Sequence, residues 1–151
     1  MNILMVCLGN ICRSPLAEGI LKSKLPLDSF RVDSAGTSNY HINELPDRRS
    51  IEVARKHNID ITNQRGRQFS LEDFNEFELI YAMDSSNYRN IIKLARTPED
   101  IAKVKLILEE IPNYNLKDVP DPYYGGTNGF ANVYNILDLA CQKIAQKIIC
   151  S

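Results

Sequence analysis

The most informative segment of the chain is Ile3-Leu4-Met5-Val6-Cys7-Leu8-Gly9-Asn10-Ile11-Cys12-Arg13-Ser14-Pro15. Its apolar start, residues 3–6, is typical of a buried strand. Its end, Ser14-Pro15, is typical of a helix start, because serine caps a helix and proline fits the first helical position. A strand that enters a helix through a tight loop gathers backbone N–H groups around one point. The segment therefore predicts a loop that binds an anion, above all phosphate.

Two side chains in this loop point to phosphoryl chemistry. Cys7 and Arg13 enclose five residues, a spacing that lets the thiol and the guanidinium face the same anion. A helix N-terminus and a nearby cation stabilise a thiolate, and the guanidinium fork matches two phosphoryl oxygens. We expect Cys7 to be a nucleophile and Arg13 to bind phosphate. Ser14 is placed to donate to the Cys7 sulfur when it leaves.

Length and composition predict a single soluble domain over residues 1–151. The chain is 44% hydrophobic and 25% charged, with a net charge of −1, so it has no overall attraction for nucleic acid or for an anionic membrane. No segment is long enough to span a bilayer, and the first residues do not resemble a signal peptide. We expect a cytoplasmic protein without nucleic-acid or membrane partners.

The four cysteines and two histidines do not form a recognisable metal-binding pattern. Neither His41 nor His57 lies at metal-ligand spacing from a cysteine. Without a secretory signal the cysteines are expected to be reduced. We therefore expect no metal and no cofactor.

Strand-like and helical segments alternate along the chain. Strands are predicted over residues 2–7, 30–34, 78–83 and 104–108. Helices are predicted from Ser14 to about Leu25, after a cap at Asp47, after a cap at Asp84, after Thr97, and from about 128 to 149. This order predicts an α/β fold with a parallel sheet covered by helices on both faces.

Ligands bind such sheets at the carboxyl ends of the strands. The segment Asp118-Val119-Pro120-Asp121-Pro122-Tyr123-Tyr124 follows the fourth strand, so it should approach the Cys7 loop from the same side. Asp121 is the predicted general acid, which later activates water, and Asp118 is the alternative. Aromatic walls favour phosphotyrosine over phosphoserine, because a deep slot admits only a long, flat side chain. The candidate wall residues are Leu8, Ile11, Tyr40, Tyr123 and Tyr124.

These motifs resemble those of a known family. Cys7–Pro15 and the segment Asp121-Pro122-Tyr123-Tyr124-Gly125 are similar to the two signature motifs of the low-molecular-weight protein tyrosine phosphatases. Val32–Thr37 and Tyr81–Asp84 also resemble family segments, and the similarity covers nearly the whole chain in the right order. The resemblance implies a four-stranded parallel sheet and a metal-independent phosphocysteine mechanism.

The resemblance also implies residue roles. It makes Cys7 the nucleophile, Arg13 the phosphate-binding residue and Asp121 the general acid. The substrate-binding set it implies is Leu8, Gly9, Asn10, Ile11, Cys12, Ser14, Tyr40, Tyr123 and Tyr124. The loop-supporting set is Asn10, Ser14, Ser34, Gln64 and Asp84.

One position departs from the family pattern. Family members often carry a histidine before an Arg-x-Arg-Gln run, where this chain has Gln64. Either the support that the histidine gives to the loop asparagine is missing here, or the amide of Gln64 supplies it to Asn10. Asn10 should adopt a left-handed conformation.

Three other functions could use a similar loop, and the sequence argues against each of them. An arsenate reductase needs a thiol relay near mid-chain, and no cysteine lies between Cys12 and Cys141. The related arginine phosphatases resemble this chain but carry a threonine at the position of Ile11, which favours phosphotyrosine here. A binding module without activity would not need Cys7, Arg13 and Asp121 together. Cys12 is either a small apolar filler or, as the resemblance implies, the partner of Cys7 in a protective disulfide.

Overall fold

Four parallel strands form one sheet in the computed structural model, which describes residues 1–124 and 128–150. The strands are β1 Asn2–Cys7, β2 Arg31–Gly36, β3 Leu79–Ala82 and β4 Val104–Leu106. Their order across the sheet is β2-β1-β3-β4. β1 pairs in parallel with both neighbours, with Cys7 opposite Gly36 and Met5 opposite Tyr81. The predicted four-stranded parallel sheet is confirmed.

Six α-helices lie in the described part of the chain. They are α1 Arg13–Lys22, α2 Arg48–Lys56, α3 Asp73–Glu76, α4 Ser85–Ile92, α5 Pro98–Ala102 and α6 Gly129–Ile149. The caps predicted at Asp47 and Asp84 are confirmed, because each side chain accepts a backbone N–H of the first turn. Thr97 caps the predicted turn that follows it in the same way. Short 3₁₀ turns cover Ile107–Glu110 and Pro122–Tyr124. Within residues 1–124 and 128–150, no helix is both long and apolar enough to cross a bilayer.

The alternation of side chains along β1 separates the two core layers. Successive strand residues point to opposite faces of a sheet. Ile3 and Met5 pack in a cluster with apolar residues of α1, α2 and α6. Leu4 and Val6 face the other way, where they join a second cluster that contains Phe74 of α3. Helices therefore cover both faces, as predicted.

Some element ends differ from the predicted ones. α1 ends at Lys22 rather than near Leu25, because the Ser23 hydroxyl donates to the Ile20 carbonyl (2.6 Å) and ends the last turn. β2 continues past residue 34 to Gly36, which bridges to Gln68. β3 is one residue shorter at each end than predicted. β4 ends two residues early because a 3₁₀ turn begins at residue 107.

The carboxyl ends of β1 and β3 meet the loop that follows β4. The Val119 N–H donates to the Met83 carbonyl (2.8 Å), just past the end of β3. This bond brings the segment before Asp121 to the sheet edge at which β1 ends with Cys7.

Candidate active site

The loop between β1 and α1, residues 7–13, encloses the sulfur of Cys7 and is called the Cys7 loop below. Asn10 has a φ of 58°, so the predicted left-handed conformation is confirmed. In this conformation the Asn10 N–H donates to Cys7 Sγ (3.3 Å), and Ser14 Oγ lies 3.0 Å from the same sulfur. Cys7 is only 3% exposed. The sulfur therefore lies at the bottom of the loop beside one amide and one hydroxyl.

The Asn10 side chain connects the loop to the rest of the fold. Its Nδ2 donates to Ser14 Oγ (2.8 Å) and Ser34 Oγ (3.0 Å), and its Oδ1 accepts the Arg67 N–H (3.0 Å). A Cys7 thiolate carries no hydrogen, so in that state the Ser14 hydroxyl is the donor to Cys7 Sγ. The structure thus brings Asn10, Ser14 and Ser34 of the predicted support set together.

The predicted contact of Gln64 with Asn10 is wrong. The Gln64 Nε2 donates instead to the Pro15 carbonyl (3.1 Å), in the first turn of α1. The acceptor Oδ1 of Asn10 is already occupied by the backbone of Arg67, three residues further along the chain. Gln64 therefore supports the helix that follows the loop, and a main-chain N–H takes the place expected for its amide.

A buried carboxylate, Glu18 of α1, continues the network below the loop. It accepts hydrogens from Ser34 Oγ (2.7 Å) and Lys22 Nζ (2.6 Å), and it is 3% exposed. Burial raises the pKa of Glu18 above its ordinary value, although its bonds to Lys22 and Ser34 oppose that effect. The network from Glu18 through Ser34 to Asn10 was not predicted from the sequence, because Glu18 carries no motif of its own.

Arg13 is held in place by a charged and a neutral partner. Its Nη1 donates to Asp84 Oδ2 (2.7 Å) and to the Val119 carbonyl (3.0 Å). Burial alone would lower the pKa of Arg13, but the Cys7 sulfur and the Asp84 carboxylate raise it above the ordinary value. Among the described residues, Nε and Nη2 make no hydrogen bond. These two nitrogens are therefore available for the oxygens of an anion.

The Cys7 loop opens into a cleft of about 210 Å³. The residues that line it are Cys7, Leu8, Gly9, Ile11, Cys12, Arg13, Tyr40, His41, Asp121 and Tyr123. The predicted approach of Asp121 and Tyr123 to the loop is confirmed. Asp118 accepts from the N–H and the hydroxyl of Ser85 instead and does not line the cleft. The side chain of Tyr124 and the motif residue Gly125 lie outside the described residues.

His41 is a cleft residue that the sequence did not single out. Its Nδ1 lies 2.9 Å from Glu44 Oε2, which fixes the ring beside Gly9. Its neighbour Tyr40 is 73% exposed and forms the outer rim. The one signal for His41 was its position in the loop that follows β2, beside Tyr40.

Cys12 lines the cleft but is buried, with 6% of its surface exposed. Burial raises the pKa of its thiol to about 12, although a hydrogen bond with Tyr123 acts in the opposite direction. Cys7 and Cys12 are both free thiols in the structure. A disulfide between them stays a prediction.

In the described part of the chain, no three His, Cys, Asp or Glu side chains are grouped so as to hold a metal ion.

Comparisons with known proteins identify close relatives. The sequence matches the family model described as low molecular weight phosphotyrosine protein phosphatase over residues 2–149. A protein of that name from Dictyostelium discoideum is 42% identical over 154 residues, which cover 89% of this chain and 86% of the relative.

Solved structures of two phosphatases have folds similar to that of this chain. A crystal structure of a protein tyrosine phosphatase from Entamoeba histolytica, with Hepes in the active site, superposes with a TM-score of 0.91. It is 34% identical and covers 98% of this chain and 96% of its own. The crystal structure of a Drosophila arginine phosphatase has a TM-score of 0.89 and 33% identity, and the match covers 98% of both chains.

The raised pKa of Glu18 predicts a pH-dependent cost to stability. The folded protein binds the Glu18 proton more tightly than the unfolded chain does, so binding of that proton stabilises the fold. This stabilisation is complete below about pH 4.3 and is lost as pH rises through the folded-state pKa. Glu18→Gln cannot ionise. The melting temperature of the variant minus that of the wild type should therefore become more positive between pH 4 and pH 8.

Thermal denaturation at several pH values measures this difference. Glu52→Gln on α2 removes an exposed carboxylate and controls for the loss of one negative charge. A Glu18→Gln difference that stays constant with pH, or falls, would contradict the prediction.

Proposed function

The chain belongs to the low molecular weight phosphotyrosine protein phosphatase family, and we propose that it hydrolyses phosphotyrosine in proteins, and small aryl phosphates, through a phosphocysteine on Cys7. The observation that carries the proposal is that Cys7, Arg13 and Asp121 line one cleft. A nucleophile, a cation and an acid around one point are the groups that phosphoryl transfer requires.

In the first step, the Cys7 thiolate attacks phosphorus and the bond from phosphorus to the tyrosine oxygen breaks. Arg13 Nε and Nη2, with the amides of the Cys7 loop, hold the phosphoryl oxygens, on which negative charge is spread in the transition state. Asp121 donates its proton to the departing phenolic oxygen. The products of this step are the free phenol, phosphocysteine and the Asp121 carboxylate.

In the second step, water attacks the phosphocysteine. The Asp121 carboxylate accepts a proton from that water, the new oxygen–phosphorus bond forms, and the sulfur–phosphorus bond breaks. The departing thiolate is stabilised by the Ser14 hydroxyl and the Asn10 N–H, which lie 3.0 and 3.3 Å from the sulfur. Each step is balanced by groups of the chain, the substrate and water, so the proposed cycle needs no cofactor.

The shape of the cleft supports an aromatic phosphate ester as the substrate. Cys7 lies at the bottom, while Leu8, Tyr40 and Tyr123 are exposed at the opening. A phosphotyrosine side chain is long enough to bring its phosphate to the sulfur with its ring between these walls. Binding of phosphate or another oxyanion fits this picture, as does the Hepes bound by the Entamoeba relative. A cytoplasmic location of the enzyme stays a prediction.

Substitutions of the two reacting groups test the mechanism. With p-nitrophenyl phosphate as the substrate, Cys7→Ser should have no measurable turnover, because the phosphocysteine cannot form. Asp121→Ala should lower kcat by about 100-fold, within the usual range for loss of a general acid. Steady-state kinetics measures both effects.

The matched control is Cys150→Ser, which removes an exposed thiol at the end of α6 and should have wild-type kinetics. Turnover by Cys7→Ser at the wild-type rate would refute the proposed nucleophile.

The position of Ile11 predicts a preference for phosphotyrosine over phosphoarginine. Ile11 lines the cleft with an apolar side chain, so the polar guanidinium of phosphoarginine would lose hydrogen bonds to water without replacement. We expect kcat/KM for a phosphotyrosine peptide to exceed that for the matched phosphoarginine peptide about tenfold or more. Ile11→Thr adds a hydroxyl and should reduce this ratio.

Parallel assays of released phosphate from the two peptides measure the ratio. Faster hydrolysis of the phosphoarginine peptide by the wild type would overturn the substrate assignment but would leave the phosphocysteine mechanism intact.

A further inference from the structure

The loop with the acid and the loop with the nucleophile meet at one residue outside the cleft. Asp47, the cap of α2, donates its N–H to the Ile11 carbonyl in the Cys7 loop (2.7 Å). Its Oδ2 accepts the hydroxyl of Tyr123 (2.8 Å), two residues after Asp121. We call residues 120–124 the acid loop. Asp47 thus holds both loops without lining the cleft itself.

Arg49 holds the carboxylate of Asp47 in place. Its backbone N–H and its Nε both donate to Asp47 Oδ1 (2.8 and 3.1 Å), and its Nη2 donates to Oδ2 (3.2 Å). Partial burial would raise the pKa of Asp47, but the hydrogen bonds from Arg49 and Tyr123 lower it below the ordinary value. Asp47 is therefore a charged acceptor for the Tyr123 hydroxyl at neutral pH.

The guanidinium of Arg49 also contacts two aromatic rings. Its Cζ lies 4.6 Å from the centroid of the Tyr123 ring and 4.6 Å from that of Phe130. The two rings meet edge to face, with centroids 6.3 Å apart. Phe130 is buried in the first turn of α6, so it forms a fixed wall. Arg49 therefore holds the face of Tyr123 while Asp47 holds its hydroxyl.

The position of Tyr123 determines the orientation of the acid. The Tyr123 N–H donates to Asp121 Oδ1 (3.0 Å), so the carboxylate turns with the Tyr123 backbone. Tyr123 is 47% exposed. With so much of the side chain in solvent, the ring is held by a few contacts, which are those with Arg49 and Asp47 and a hydrogen bond with Cys12.

We propose that Arg49, acting with Asp47, is a positioning residue that sets the general acid Asp121 through Tyr123. The inference rests on the proposed role of Asp121 as the acid. Arg49 does not touch the substrate. Its loss lets the Tyr123 ring move, and the Asp121 carboxyl then spends less time in reach of the departing oxygen.

The test compares two substrates that differ in their need for a proton. Phenyl phosphate releases a phenol that must be protonated, whereas 2,4-dinitrophenyl phosphate releases a stable anion. In Arg49→Met, kcat/KM should fall about tenfold for phenyl phosphate and less than twofold for the dinitrophenyl ester. The ratio of the two values does not depend on the fraction of folded enzyme, so a simple loss of fold leaves it unchanged.

The matched control is Arg48→Met, one residue earlier. The Arg48 side chain is 90% exposed, and in the described part of the chain its one ion-pair partner is Glu52, so its loss should leave the ratio at the wild-type value. Asp121→Ala, measured in parallel, should change the ratio in the same direction as Arg49→Met and by more. A changed ratio in Asp121→Ala but not in Arg49→Met would overturn the positioning role alone. An unchanged ratio in Asp121→Ala would overturn the acid assignment, and the positioning role with it.

Discussion

The geometry of the Cys7 loop depends on one residue, Asn10, which turns the backbone with a positive φ and holds that turn with its own side chain. The left-handed conformation costs a non-glycine residue roughly 1–2 kcal/mol. Three hydrogen bonds of the Asn10 amide, two of them buried and one partly buried, are each worth about 1 kcal/mol and offset that cost. The same turn directs the Asn10 N–H at Cys7 Sγ. The residue that bends the loop therefore also places a donor at the reacting atom.

Other contacts fix the remaining groups before any substrate binds. Ser34 connects Asn10 to the buried carboxylate of Glu18, and Asp84 with the Val119 carbonyl holds Arg13. Groups that are already oriented need little rearrangement when negative charge spreads over the phosphoryl oxygens, which is how a preformed site lowers a barrier. The acid loop is held differently, by the exposed ring of Tyr123. The cleft therefore combines a rigid floor with a wall that depends on a few contacts.

Much of this architecture is encoded locally, and the remainder is not. The apolar run of β1 and the caps at Asp47 and Asp84 are local signals, so the sheet and the helix starts could be predicted. The spacing of Cys7 and Arg13 and the segment after β4 likewise located the cleft. The Gln64 prediction was wrong because the donor to Asn10 is a backbone N–H of Arg67, and main-chain groups leave no mark in a sequence. The bond between Asp47 and Tyr123 joins residues 76 apart, so only the folded chain reveals it.

A covalent intermediate separates the proposed mechanism from direct attack of water on the substrate. Cys7 lies at the bottom of the cleft, where its sulfur can carry the phosphoryl group between the two steps. Rapid quenching during turnover of a phosphotyrosine peptide, followed by mass spectrometry of the peptide that contains Cys7, detects that group. The mechanism predicts a phosphate adduct on Cys7 that forms faster than one turnover and is absent from Cys7→Ser. Full turnover of the wild type with no adduct on Cys7 at any time would contradict it.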